Sequence, residues 1–357
     1  MTEPLFPLDA FQLPPGICHA CVAGESAPLY CHQQAFSQYA KDKSEGLQGR
    51  VEQNNRLHEA RVLVSESWNV ALGDIGFVSS VAEGVSLVLE SLKWEKGDNV
   101  CLDADEFPSL VAPFAIRAQQ NQHNRLAGDD GAESPTPEMR FTKPETLATD
   151  ITSNTRLIAV SYVSYLNSSR IDLSHYRRLA DSVGAILLVD FTQAAGYAPI
   201  DASQADFAFS ACYKWLLGTT GAAIACWNRT RQPDWKPSTA GWHSLSIGEA
   251  RPSWGTDGIK VRDDAMCFCR GNPAHLSIYI LLQGLRFLRQ WEPVKIQSHI
   301  QTLTSELLRR LTAEGIMSST PPDNERHGAS VTIDCEGASE IVDKLDHERV
   351  SNALEGT

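Results

Sequence analysis

Between residues 74 and 227 the chain alternates short apolar runs with longer segments whose apolar positions recur at helical spacing. The runs at 74–80, 99–103, 156–164, 185–189, 206–210 and 222–227 are apolar at most positions, which predicts strands covered on both faces. Amphipathic helices are predicted over 28–45, 51–71, 82–93, 109–120, 143–152 and 173–184, the last closed by Gly184. Such alternation builds a mainly parallel sheet with helices on both faces, an α/β fold of three layers. Residues 1–25 are Pro-rich and read as an arm lying on the body, and 26–273 as a large domain. From 274 the chain is helical to about 314. A strand at 329–334 and a helix at 338–345 then complete a smaller α+β domain, 274–357. The polar stretch 121–140 reads as an exposed loop.

Composition narrows the field of functions. Apolar residues make up 42% of the chain and charged ones 21%, ordinary for a globular protein. At 357 residues the chain can hold more than one packed core. Its 31 basic and 44 acidic side chains leave a net charge of −13 with no basic run, which argues against nucleic acid or anionic membrane as a partner. No apolar stretch approaches the ~20 residues that span a bilayer. The opening MTEPLFPLDAFQLPPG lacks the basic start and apolar core of a signal peptide, so a cytoplasmic location is expected. The nine cysteines follow no framework spacing and read as reduced thiols. Cys18 and Cys21 are spaced like half a zinc site, but no second pair matches them and no metal is expected.

The candidate chemistry gathers at strand ends. Ligands of open α/β sheets bind beyond the carboxyl ends of the strands. There the run AILLV stops in Asp190, with Gln193 three residues on. The next strand, DFAFS, leads to Tyr213-Lys214-Trp215 in a turn rich in Gly and Thr. An acid and a lysine at neighbouring strand ends suit pyridoxal phosphate, whose carbonyl takes a lysine amine and whose pyridine nitrogen needs a charged partner. Aromatic neighbours (Phe209, Tyr213, Trp215) favour a partly neutral, nucleophilic Lys214. The strand-to-helix turn SSVAEG, residues 79–84, offers unpaired helix N–H groups to a phosphate. Taken singly, each feature has a plainer role. A strand-end Asp caps a turn, a loop Lys is solvated, and a Ser caps a helix. Neither G-x-G-x-x-G nor G-K-[ST] occurs, which sets aside a dinucleotide fingerprint and a P-loop.

DFTQAAG followed by DFAFSACYKWL resembles the aminotransferase class V family of pyridoxal-phosphate enzymes, in particular its kynureninase-like and cysteine-desulfurase-like branches. The resemblance extends over roughly residues 20 to 345 and implies the fold type I architecture of these enzymes. It implies Lys214 as the Schiff-base lysine and acid/base, Asp190 on the pyridine nitrogen, and Gln193 near the ring hydroxyl. It further implies Phe107 stacked on the ring, Tyr165 touching cofactor or substrate, Tyr213 beside the lysine, and Ser80, Val81 and Ala82 around the phosphate. A homodimer is implied as well, with Trp242 and Asn272 reaching the phosphate held by the other subunit. His243 and Arg262 are candidate substrate contacts. Two departures stand out. The Gly that members often carry near Ser168 is missing, and the segment bearing the arginine that clamps the substrate carboxylate has no counterpart, so the small domain reads as shortened.

The implied function is a pyridoxal-phosphate enzyme acting on a small amino acid, of lyase or aminotransferase type. A desulfurase-like activity needs a mobile thiol, and Cys335 is expected inside a strand. A kynureninase-like activity has a His where Gln193 stands. The alternative from another class is a catalytically idle relative kept as a binding module, against which the intact Asp190, Gln193 and Lys214 set speaks.

Overall fold

A computed structural model describes residues 3–126, 135–246 and 259–351. The arm carries a short strand, β1 (Cys18–His19), and leads to helices α1 (Cys31–Ser44) and α2 (Gly46–Ser67). Gly46 turns the chain between them at φ +60°, a conformation that costs a residue with a Cβ more than it costs glycine. The glycine-containing stretch expected to separate the helices is thereby absorbed into the start of α2.

The expected alternation follows. It runs β2 (Ile75–Val78), α3 (Val81–Ser91), β3 (Asn99–Asp103), α4 (Pro108–Leu126), β4 (Glu138–Thr142) and α5 (Leu147–Asp150). Then come β5 (Thr155–Ser161), α6 (Leu173–Val183), β6 (Ile186–Asp190), β7 (Phe207–Ala211) and β8 (Ala223–Trp227). The seven strands β2 to β8 form one sheet in the order β2-β8-β7-β6-β5-β3-β4. Only β8 runs against its neighbours, so the sheet is mainly parallel, as expected. Every residue of β2, β6, β7 and β8 is buried, which is why these strands read as unbroken apolar runs. Leu187, Val189, Ala208 and Ile224 enter the core on one face; Leu188, Phe207, Phe209 and Ala225 enter the core on the other.

Beyond the sheet, α7 (His275–Leu288) packs on α1 and α2 and sends Ile278, Leu281 and Leu282 into the larger core. Then follow α8 (Pro293–Ala313), α9 (Ala338–His347) and β9 (Val350–Ser351). Strand β9 pairs in parallel with β1, tying the arm to the C-terminal elements.

Some expectations are corrected. No strand forms over 329–334. Ser330 N and Thr332 N donate to Ser168 Oγ and Thr320 Oγ1, so side-chain oxygens take the place of a partner strand. The stretch 121–140 is not one loop: α4 continues to Leu126 and β4 begins at Glu138, while 127–134 lie outside the described residues. Strand β4 escaped notice because it is the sheet edge, half-exposed and built from the mixed sequence EMRFT. The helix expected at 143–152 shrinks to the single turn α5.

Candidate active site

The turns that leave β2, β3, β6 and β7, together with the end of β5, converge on a cavity of about 270 Å3. Asp190, the last residue of β6, stands at its floor, 4% exposed. Thr192 N donates to Asp190 Oδ1 at 2.8 Å. Burial pushes this carboxyl up from the usual range, while the Thr192 hydrogen bonds and the charge of Lys214 pull it down. A buried carboxylate in this state requires a cation or a proton.

Lys214 enters from the turn after β7, 7% exposed. Its Nζ stands 5.6 Å from the centre of the Phe107 ring and 5.9 Å from that of Tyr213. Phe107 meets Tyr165 edge to face, with ring centres 5.0 Å apart. All four line the cavity with Gln193. The Gln193 amide is pinned at both ends: Nε2 donates to Ala23 O at 3.0 Å, and Oε1 accepts from Trp215 Nε1 at 2.9 Å. Ser26 N and Oγ both donate to Tyr213 O, each at 3.1 Å. The end of the arm, through Ala23, and the first residue after it, Ser26, therefore brace Gln193 and the lysine turn, a role that the irregular sequence did not announce.

At the other end of the cavity Ser80 caps α3, its Oγ accepting from Glu83 N at 3.2 Å. Glu83 Oε2 accepts from Ser79 N at 2.8 Å and Ser79 Oγ at 2.6 Å, and Arg270 Nη2 lies 3.1 Å from its Oε1. Ser79, Ser80 and Val81 line the cavity; Ala82 sits in the same first turn but does not. Because Val81 and Ala82 carry no hydroxyl and Ser79 is spent on Glu83, donors here are the helix N–H groups and the Ser80 hydroxyl.

Trp242 and Asn272 do not line this cavity. Trp242 is 56% exposed, and shares a separate groove with His243 and Arg262. Asn272 Oδ1 accepts from Arg50 Nη1 at 2.9 Å. Ser168, near which the family resemblance implies a Gly, holds φ +61°, so the local backbone takes a glycine-like conformation. Bonds from Gly328 N to Ser168 O, and from Ser330 N to Ser168 Oγ, hold it there. A more open groove of about 930 Å3 runs elsewhere, past Asp103, Arg170, His175 and Arg326, but Lys214 and Asp190 take no part in it. Among the described residues no cluster of His, Cys, Asp and Glu could hold a metal ion.

Sequence reasoning passed over Glu106. Its carboxylate is held by Phe107 N, Ser161 N and Ser161 Oγ, and its carboxyl is pushed up to about 7, by burial foremost. The only signal was its place one residue before Phe107.

The model of the family described as Aminotransferase class-V matches residues 30–351. The chain belongs to the aminotransferase class V family. A curated relative named probable cysteine desulfurase, from Methanothermobacter thermautotrophicus, is 25% identical over 81% of this chain and 70% of its own length. An uncharacterized aminotransferase of Bacillus subtilis is also 25% identical, over 78% of this chain and 70% of its own. The apo structure of a cysteine desulfurase from Thermococcus onnurineus superposes with a TM-score of 0.82 at 18% identity, covering 98% of this chain and 88% of that one. That likeness establishes the fold. The class V family is one of pyridoxal-phosphate-dependent enzymes of transferase and lyase type, and this chain is an enzyme of that kind.

Proposed function

We propose that Lys214 holds pyridoxal phosphate in the 270 Å3 cavity and that the enzyme breaks a bond at the α- or β-carbon of a small amino acid. The observation that carries this reading is the convergence of an acid, an amine and an aromatic face in one small cavity. The donor set suits the cofactor. Asp190 supplies the buried negative charge that a protonated pyridine nitrogen needs, Phe107 supplies a flat face, and the α3 N-terminus with Ser80 supplies anion donors. Bound there, the cofactor supplies an electron sink for the pair left behind when a bond to the substrate breaks. Lys214 Nζ would take and return the proton at the α-carbon. Phe107 and Tyr165 shield one side of the cavity from water. Gln193, fixed by Ala23 and Trp215, presents its remaining amide hydrogen without rearranging. The test is a cofactor titration of wild type, Lys214→Ala and Asp190→Ala. Amino acids are then screened for keto-acid, ammonia or sulfide release, and a wild type that binds cofactor but turns over none of them contradicts the enzymatic reading.

A homodimer with Trp242 and Asn272 serving the second copy's site is part of the proposal. The exposure of Trp242 and its absence from the lining of this chain's own cavity support it. Mixing inactive Lys214→Ala with inactive Trp242→Ala should restore activity if the site is shared; no restoration counts against sharing. Among the described residues no helix is long and apolar enough to cross a membrane, and nine free cysteines support a reducing, cytoplasmic setting.

A second reading is cleavage of a carbon–sulfur bond in cysteine or a similar amino acid. The names of several curated relatives support it, and so does Cys335, which is exposed and outside any strand. The strand that argued against Cys335 as a mobile thiol does not exist. Sulfide or persulfide formed from cysteine, and lost in Cys335→Ser, would favour sulfur transfer.

A further inference from the structure

The turn between β3 and α4 holds a carboxylate that the proposed chemistry leaves unused. Glu106 Oε1 accepts hydrogen bonds from Phe107 N at 2.7 Å and Ser161 Oγ at 2.5 Å, and its Oε2 accepts from Ser161 N at 2.7 Å. Ser161 ends β5, pairs in register with Asp190 on β6, and lines the same cavity as Phe107. One side chain thus spans two strand ends. Hydrogen bonds to an ionised acceptor are the stronger kind, and three on one carboxylate leave little play.

We propose that Glu106 is a positioning residue of the cofactor cavity, fastening the turn that carries Phe107 to the end of β5 and thereby setting the aromatic face against Asp190. The proposal rests on the cofactor reading above and adds a residue that it does not require. Phe107 has no polar side-chain atom by which to be held, so its ring can be fixed only through its backbone and packing. Glu106 supplies the backbone anchor at Phe107 N. Its other anchor is the β5 end, where Ser161 stands beside Asp190. A flat ring must meet the Phe107 face and the Asp190 carboxylate at once, and a small error in their separation weakens both contacts.

The same geometry makes the clamp responsive to protons near neutrality. Burial and the charge of Asp190 push the Glu106 carboxyl up to about 7, against its three hydrogen bonds. Asp190 on β6 is the charge that acts on it, with Lys214 acting through Asp190; Tyr176 on α6 stands near, as part of a cluster with Asp103, Asp105 and Glu145, where Lys143 pairs with Asp105. Protonation turns one acceptor oxygen into a donor and releases part of the hold on Phe107 and Ser161. A cation beside Asp190 offsets the charge that opposes Glu106 ionisation, so cofactor binding and the ionised clamp favour each other.

The experiment titrates apoprotein with pyridoxal phosphate below and above neutrality for wild type, Glu106→Gln, Glu106→Ala and Ser161→Ala. It reads affinity from tryptophan fluorescence and ring orientation from visible circular dichroism of the bound cofactor. Glu106→Ala is expected to weaken binding roughly tenfold and to change the visible dichroism, with Ser161→Ala shifting both less, in the same direction. Glu106→Gln keeps an acceptor oxygen and is expected to bind within about threefold of wild type, with a smaller affinity difference across neutrality. Wild-type affinity and dichroism in a folded Glu106→Ala overturn the clamp, as does a Glu106→Gln that keeps the full pH difference. If Glu106→Ala does not fold, Ser161→Ala and Glu106→Gln decide. Wild type that binds no cofactor overturns the underlying reading and this one with it; wild type that binds, with every variant unmoved, overturns the clamp alone.

Discussion

The amine nitrogen of Lys214 stands 5.6 Å from the centre of the Phe107 ring, although the two residues leave different strands of the sheet, β7 and β3. The sheet order places β5 and β6 between those strands, so the contact closes over the ends of both. Phe107 is therefore a wall of the lysine's cavity as well as part of its own turn. Phe107→Ala is expected to weaken cofactor binding roughly tenfold, and Phe107→Tyr to leave it near wild type. Equilibrium titration of the apoproteins measures both.

Asp190 carries a sign-definite prediction. Its carboxyl is raised by burial, so without cofactor the ionised form is disfavoured in the folded state. The stability it contributes is fully present below the ordinary Asp pKa and is lost as pH rises through the raised folded value. Asp190→Asn keeps the shape without the charge. Apo Asp190→Asn should match wild type in thermal unfolding at acid pH and exceed it increasingly toward neutrality. Its activity with cofactor should fall roughly a hundredfold, because the charge opposite the ring is gone.

A buried network under the sheet is expected to matter for stability alone. Asp206, 2% exposed, accepts from Leu187 N at 2.8 Å and Gln232 Nε2 at 2.8 Å, and pairs with Arg177 Nη1 at 2.6 Å. Asp206→Ala leaves the Arg177 guanidinium, itself only 8% exposed, with Asp181 as its remaining acid partner and unpairs the buried Leu187 N, and is expected to cost about 1–3 kcal/mol. Denaturant unfolding would check this. A cofactor spectrum unchanged below the unfolding transition would place the network outside the site.

Gly84 lets α3 approach the sheet. A Cβ there would lie 2.2 Å from Phe209 Cε1, and Phe209 is fully buried. Gly84→Ala must move that ring or the helix that carries Ser80, at about 1–3 kcal/mol. Because Ser80 caps the same helix, cofactor affinity should fall as well. A melting temperature and an affinity both at wild-type values would contradict the contact.

Much of this was legible in the sequence for a physical reason. Strands buried on both faces must be apolar throughout, so β6, β7 and β8 announce themselves, and Asp190, the polar residue that ends β6, marks the site. Edge strand β4 faces a different constraint, with one neighbour and half-exposed residues, and its pattern disappears into the polar stretch around it. The alternating stretch ASVTID at 329–334 misled for the converse reason. Ser168 and Thr320 satisfy its amides, so an extended segment needs no sheet. The bracing of Tyr213 by Ser26 and of Gln193 by Ala23 was illegible because contacts between residues so distant in sequence follow from topology, not local pattern. Glu106 was hidden in the same way, for its partner Ser161 lies on a different strand.

The central claim is that Lys214 carries the cofactor, and one measurement tests it most directly. Purified protein is supplied with pyridoxal phosphate, reduced with borohydride and digested, and the peptide bearing the fixed cofactor is sequenced by mass spectrometry beside a Lys214→Ala control. The account predicts a yellow protein whose visible band is lost on reduction, with the label on Lys214 and none in the control. Label on another lysine, or a protein that stays colourless with added cofactor, would contradict it.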